Sequence, residues 1–258
     1  MNPPVAWRSP SVWAVPAAAL AAALLLALTG ANRAAFSAIN SWSHLTGPLP
    51  WAFVTVLGDT AVALALFTPF VLRRPALVWA LTLGALLAAA FVHGIKPLAD
   101  LPRPPSVMAA GAITVIGPAY KAHSFPSGHT TTIFVAAALL WLHFPSPWIR
   151  AAALGTAVLV GLSRAVVGVH WPVDIAAGAA GGWCCAVAGT ALACRFPAGT
   201  RAPVQAVLAL AGSGCAVALL AGLKTGYPQA LQLQYAVGAA ALGALAVAVV
   251  ERATGGVR

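Results

Sequence analysis

The stretch Ser163-Arg164-Ala165-Val166-Val167-Gly168-Val169-His170-Trp171-Pro172-Val173-Asp174 decides how the rest of the chain is read. It sets an arginine, a histidine and a carboxylate between two long apolar runs, in a chain with 14 Lys and Arg and only 4 Asp and Glu. An ionisable group at the edge of a bilayer core costs free energy, so by default it marks a functional site. Pro172 suits the first turn of a helix, where its missing N–H is not needed. His170 then sits just before a helix, and Asp174 falls in its first turn. The positive end of that helix, with its unused N–H donors, favours an anion opposite His170.

Working outward, the chain of 258 residues is 61% hydrophobic and 7% charged. That composition describes a membrane protein and excludes a soluble domain. A spanning helix needs about 20 apolar residues. Runs of this kind lie near Val12–Leu28, Asp59–Leu72, Ala76–Ile95, His129–Phe144, Trp148–Val167, Val173–Cys194, Gln205–Leu223 and Leu231–Val250. The second and fourth are short, and the second can extend back to Trp51. The fold class expected is all-α, a polytopic transmembrane helical bundle. Residues 1–200 form its core, and residues 201–258 add two further spans of no assigned role.

The net charge of +10 orients the chain in the membrane and does not signal a nucleic-acid partner. With a cytoplasmic N-terminus and eight crossings, Arg8, Arg73, Arg74, Arg150, Arg195, Arg201, Arg252 and Arg258 lie inside. Arg33, Lys96, Arg103, Lys121, Arg164 and Lys224 lie outside. Three of the outer cations belong to the site proposed below, and the bias of the remainder places that site outside the cytoplasm, the periplasmic side of a bacterial inner membrane. Arg8 and the run from Val12 read as a retained first helix, although the Ala-rich sequence near Gly30–Ala35 leaves cleavage open. Cys184, Cys185, Cys194 and Cys215 lie in or beside apolar spans, without metal-type spacing or a disulfide framework.

Between the spans, Asn32–Pro50 reads as a loop, with His44 a solvated residue in it. Asp59 reads as an acid at a helix N-terminus, with a place behind the site as the alternative. Gly94 and Pro97 stop the third span at His93–Pro97. The segment Lys96–Lys121 is too long for a minimal connector and reads as an ordered, functional loop. Ser127 is an N-cap candidate for the fourth span, which puts His129 in its first turn.

If spans three to six are antiparallel, parity alone brings the end of the third, the start of the fourth and the join of the fifth and sixth to one membrane face. Lys96, Arg103, Ser127, Gly128, His129, Arg164, His170 and Asp174 then come within reach of one another. Arg103 and Arg164 can fork onto phosphate oxygens, and Lys96 adds a point charge. The N–H groups of Ser127–His129 can take a further oxygen. Phosphoryl transfer is mostly positioning and charge stabilisation, and this set supplies both. A neutral histidine can be the nucleophile, an aspartate can fix its tautomer, and a second histidine can protonate the leaving oxygen. The cations take the place of a metal, and no acidic cluster of the kind that holds a hard cation is present. No metal and no other cofactor is expected.

Three signatures carry a family resemblance. Lys96–Pro104 reads K-x6-R-P, Pro126–His129 reads P-S-G-H, and Ser163–Asp174 reads S-R-x5-H-x3-D. With all three complete and in order, the chain resembles the type 2 phosphatidic acid phosphatase superfamily, membrane lipid phosphatases that share a site with vanadium haloperoxidases. The resemblance covers about Asn40 to Cys194. It implies that His170 is the nucleophile forming a phosphohistidine, that Asp174 orients it, and that His129 is the general acid that then activates water. It implies that Lys96, Arg103, Arg164, Ser127 and Gly128 hold the phosphate. The family core has six spans, so the two runs after Arg201 depart from it. His93, His123 and His143 fall outside the signatures and read as packing, loop and far-end residues.

The function expected is therefore hydrolysis of a phosphomonoester or diphosphate on a lipid held in the membrane. Undecaprenyl diphosphate, phosphatidic acid, phosphatidylglycerol phosphate and a lipid A phosphate are the candidates. A phosphotransferase that captures the same intermediate with a lipid alcohol is a close variant. A lipid-binding or transport protein that kept the pocket and lost turnover is the other class.

Overall fold

The computed structural model describes residues 9–109 and 111–255; Arg8 and Arg258, two of the inner charges, lie outside the described residues. The regular structure of the described residues is all helical, without strands. In chain order the helices are α1 (Pro10–Thr29), α2 (Asn32–Asn40), α3 (Trp42–Thr46), α4 (Leu49–Val56), α5 (Thr60–Phe67), α6 (Phe70–Arg73), α7 (Pro75–Ala99), α8 (Pro104–Val107), α9 (Gly128–His143), α10 (Pro147–Val166), α11 (Pro172–Arg195), α12 (Ala202–Leu220) and α13 (Leu231–Ala253). Six of them, α1, α7, α10, α11, α12 and α13, are long and apolar enough to cross a bilayer. The pair α4 and α5, bent by 61° at the break between them, makes a seventh if it is one span. α9, at 16 residues, is shorter than the others. All eight apolar runs are thus helical, the second as a broken helix and the fourth as a short one.

Two expectations change. The segment Asn32–Pro50 is not a loop but holds α2 and α3. On α2, Phe36 and Asn40 lie four residues apart on one face, and both are buried; nine residues give too short a period to separate from a polar connector. The third span also passes Gly94 and Pro97 and ends at Ala99. A proline so near a C-terminus removes only one of the last intrahelical bonds. Lys96, inside that last turn, is held from outside by the carbonyl of His123 at 2.6 Å.

Starts and stops follow local chemistry. Pro75, Pro147 and Pro172 each open a helix, where proline's fixed φ is pre-organised. Ser127 Oγ and Asp59 Oδ1 accept the N–H groups of Thr130 and Ala61, capping α9 and α5.

α11 is the hub. Small residues let its neighbours approach, as expected where lipid removes the hydrophobic drive between helices. A Cβ on Gly178 would lie 2.7 Å from the Ser127 carbonyl at the start of α9, and one on Gly189 would lie 2.7 Å from Gly84 Cα of α7. Trp183, fully buried, donates its indole N–H to the Val12 carbonyl at 2.7 Å and so ties α1 to the hub. A second core joins α12 and α13 to the broken helix. Ala216, Leu219 and Val237 pack there with Val56 and Val62, together with Ile116, Val167, Val169 and Tyr227 from the loops at one end. At the opposite end Arg73 pairs with Glu251 at 2.6 Å.

Candidate active site

The turn that follows α10 closes on one carbonyl. Gly168 takes the left-handed conformation at φ +81°, and the N–H groups of Val169 and His170 both donate to Arg164 O, at 3.1 and 3.2 Å. This turn points His170 back over the end of α10. Asp174, in the first turn of α11, accepts from the Trp171 N–H at 2.9 Å and from His170 Nδ1 at 3.2 Å through Oδ2. Ser124 donates its hydroxyl to the same oxygen at 2.5 Å.

The other ring nitrogen of His170 lies 3.0 Å from Arg103 Nη1. A guanidinium can only donate, so Nε2 carries the lone pair and Nδ1 the proton given to Asp174. Burial, and then the charges of Arg103, Arg164 and Lys96, push the pKa of His170 well below the usual imidazole value. The neutral ring is thereby favoured, with the Nε2 lone pair facing Arg103.

Each cation is braced. Arg103 also donates to the carbonyls of Val169 at 3.0 Å and Ala122 at 2.8 Å, and its guanidinium lies 5.1 Å from the Tyr120 ring. Arg164 is 2% exposed. Its Nη1 donates to Thr55 Oγ1 at 2.5 Å and Tyr227 Oη at 3.0 Å, while Nε has no partner among the described residues. His129 Nε2 and Asp174 Oδ1 are likewise buried without a partner. At the head of α9, the N–H groups of Gly128 and His129 precede the first intrahelical bond and need an outside acceptor. The Ser127 N–H is already engaged by the Asp174 carbonyl at 3.1 Å.

These side chains surround a cavity of about 440 Å³. Lys96, Arg103, Gly128, His129, Arg164 and His170 are on its wall; Ser127 and Asp174 stand behind it. The cavity continues away from the cations between α5, α7 and α9. Leu81, Ala85, Ala88, Ala89 and Val92 line it along α7, so this apolar part runs about 16 Å beside that helix at 1.5 Å per residue. The break between α4 and α5 makes room for it. A Cβ on Gly58 would lie 2.9 Å from His129 Cβ and 2.8 Å from Val160 Cγ1, so glycine lets the kink press against the site. Asp59 caps α5, as expected, and it stands on the cavity wall and not behind the site. Among the described residues no three His, Cys, Asp or Glu side chains converge as a metal site.

Sequence reading missed Thr55, Tyr120, Ser124 and Tyr227, which lie outside the signatures, and Asn40. Asn40 Nδ2 donates to the carbonyls of Thr114, Ala165 and Val166 at 2.9, 3.1 and 3.0 Å, and its Oδ1 accepts the Thr114 N–H at 2.8 Å. Nothing in hydrophobic periodicity marks these residues. The nearest signal is the Gly226-Tyr227-Pro228 turn, with one of only 3 tyrosines in the chain. Of the remaining histidines, His93 lines the cavity, and His123 contributes its carbonyl while its ring pairs with Asp100 at 3.3 Å. His44 meets Thr114 Oγ1 at 3.3 Å, and His143 ends α9 on the far side.

A helical membrane fold with this cluster at one end defines a class, and the comparisons agree with it. Residues 77–196, just under half of the chain, match the model of the PAP2 superfamily, and over them the chain is similar to that superfamily. Among similar proteins, the lipid A 1-phosphatase of Rhizobium etli is 47% identical over 64 residues, which cover 23% of this chain and 25% of that protein. The undecaprenyl-diphosphatase of Sulfolobus acidocaldarius is 45% identical over 56 residues, covering 22% of this chain and 27% of that protein. Each match thus takes in about a quarter of the relative's own length. The crystal structure of Aquifex aeolicus LpxE is similar with a TM-score of 0.57 and 28% identity, covering 61% of this chain and 93% of that one.

Proposed function

We propose that this chain is an integral membrane lipid phosphatase that works through a phosphohistidine. The observation that carries the reading is the continuity of the cavity. Its polar end gathers Lys96, Arg103, Arg164, His129 and His170, and its other end is an apolar furrow along α7. A phosphate fits the first and a lipid chain the second.

His170 Nε2 attacks phosphorus in line with the lipid oxygen. The P–N bond forms as the P–O bond to the lipid breaks, and His129 gives its proton to the departing oxygen. Asp174 keeps the proton on Nδ1 and stabilises the charge that grows on the ring. Lys96, Arg103, Arg164 and the N–H groups at the head of α9 meet the charge on the equatorial oxygens. Water then enters where the lipid oxygen left. His129 takes its proton, the P–N bond breaks, and inorganic phosphate departs.

The names of the relatives direct the choice of substrate first to a lipid A phosphate and to undecaprenyl diphosphate. The charge distribution supports a site that opens on the face away from the cytoplasm. The test is phosphate release by the purified full chain in mixed micelles containing each lipid. The wild type releases phosphate from at least one, and His170→Ala lowers the rate by about three orders of magnitude or more, as loss of a covalent nucleophile does. A His170→Ala protein as active as the wild type would falsify the mechanism.

A further inference from the structure

Resting on the reading of Arg164 as a phosphate ligand, we propose that Tyr227 is a positioning residue for that arginine, so that the α12–α13 hairpin completes the phosphate site. Tyr227 lies in the turn between those helices, well past residue 196, where the family match ends.

Three observations carry this. The first is the contact. Tyr227 Oη accepts from Arg164 Nη1 at 3.0 Å, and the guanidinium carbon lies 5.9 Å from the ring centroid. Arginine recognises phosphate through a planar fork, so its orientation matters as much as its charge. Thr55 and Tyr227 together hold one nitrogen from behind, and Nε is left without a partner. The second is burial. Tyr227 is 2% exposed and is not on the cavity wall, so it acts on the arginine and not on the substrate.

The third is the way its turn is locked to the site. Gly117 and Gly226 both take positive φ, +84° and +88°. A Cβ on Gly117 would lie 2.8 Å from Tyr227 Cε1, and one on Gly226 would lie 2.9 Å from Pro118 Cγ. The neighbouring Ile116 N–H donates to the Val167 carbonyl at 3.1 Å, three residues before His170. Gln234 of α13 holds the other side of the turn through Thr225 Oγ1 at 2.7 Å. The hairpin therefore grips the loop between α8 and α9, and through it the turn that carries His170.

The test uses the full chain in detergent micelles with inorganic phosphate as the probe. Affinity is read from the rise of the unfolding temperature with phosphate concentration, which needs no turnover. Tyr227→Phe keeps the ring and removes the acceptor. We expect phosphate to bind about five- to tenfold more weakly, the size of one typical lost hydrogen bond, with KM for the lipid raised in step and kcat within about twofold. Wild-type phosphate affinity in Tyr227→Phe, with affinity lost in Arg164→Ala, overturns the role of Tyr227 and leaves the site standing. Wild-type affinity in Arg164→Ala overturns the phosphate-site reading itself. If Tyr227→Phe lowers the unfolding temperature without phosphate, the cycle with Arg164→Lys decides. Coupled losses of affinity support positioning, and additive ones reject it.

Discussion

His170 sits among three cations and one carboxylate, and the balance between them sets the acid side of the pH profile. Protonating the ring would add a positive charge to a buried place that already faces Arg103, Arg164 and Lys96, so its pKa lies below the usual value. In the proposed mechanism, attack requires the neutral ring. The acid limb of kcat/KM therefore falls below the ordinary imidazole pKa of about 6.5. Arg103→Gln removes a nearby like charge, which raises the pKa of His170, and the limb moves to higher pH. The same change lowers kcat/KM at its optimum by about a hundredfold, because a donor to the phosphate is lost. A pH–rate profile of the variant checks both effects, and an acid limb at or below the wild-type position contradicts the assignment. Residue types and spacings alone nominated this cluster, since three cations and two imidazoles at membrane edges have no cheaper explanation. The groups that hold it, Thr55, Ser124 and Tyr227, were not legible. A serine, a threonine or a tyrosine costs little at an interface, and only the folded contacts reveal what it braces.

At the scale of elements, long apolar runs fixed the helices and proline fixed several of their starts. Two features escaped, for one reason each. The amphipathic pattern of α2 is a single pair of buried positions, too brief to stand out. The 61° bend between α4 and α5 lies at Gly58-Asp59, at the edge of the apolar run, and hydropathy is blind to direction. α2 matters because Asn40 reaches the last carbonyls of α10 and the Thr114 backbone together. Asn40→Leu takes this partner from the Val166 carbonyl and the Thr114 backbone, while the Ala165 carbonyl keeps the Gly168 N–H; each group left unpaired and out of reach of water costs about 1–3 kcal/mol. The expected result is a lowered unfolding temperature in micelles, with a loss of activity that cooling partly restores. An unchanged unfolding temperature would mean that the loop and α10 are held by other contacts.

For the whole molecule, the two ends differ in chemistry. One carries the cation cluster, and the other carries the Arg73–Glu251 pair, half-exposed and held to the modest energies of surface ion pairs. The orientation argued from charge can be read by labelling. In a chain whose four cysteines are replaced by serine, a membrane-impermeant maleimide added to intact cells should modify Lys121→Cys and should reach Arg201→Cys only after permeabilisation. The reverse pattern turns the protein over. The shortness of α9 bears on what the lipid must do. Its 16 residues give about 24 Å at 1.5 Å per residue, against a hydrocarbon layer of about 30 Å. His129 stands at the head of this helix, and on the proposed reading a helix shorter than the layer lets a lipid phosphate meet it without leaving the bilayer.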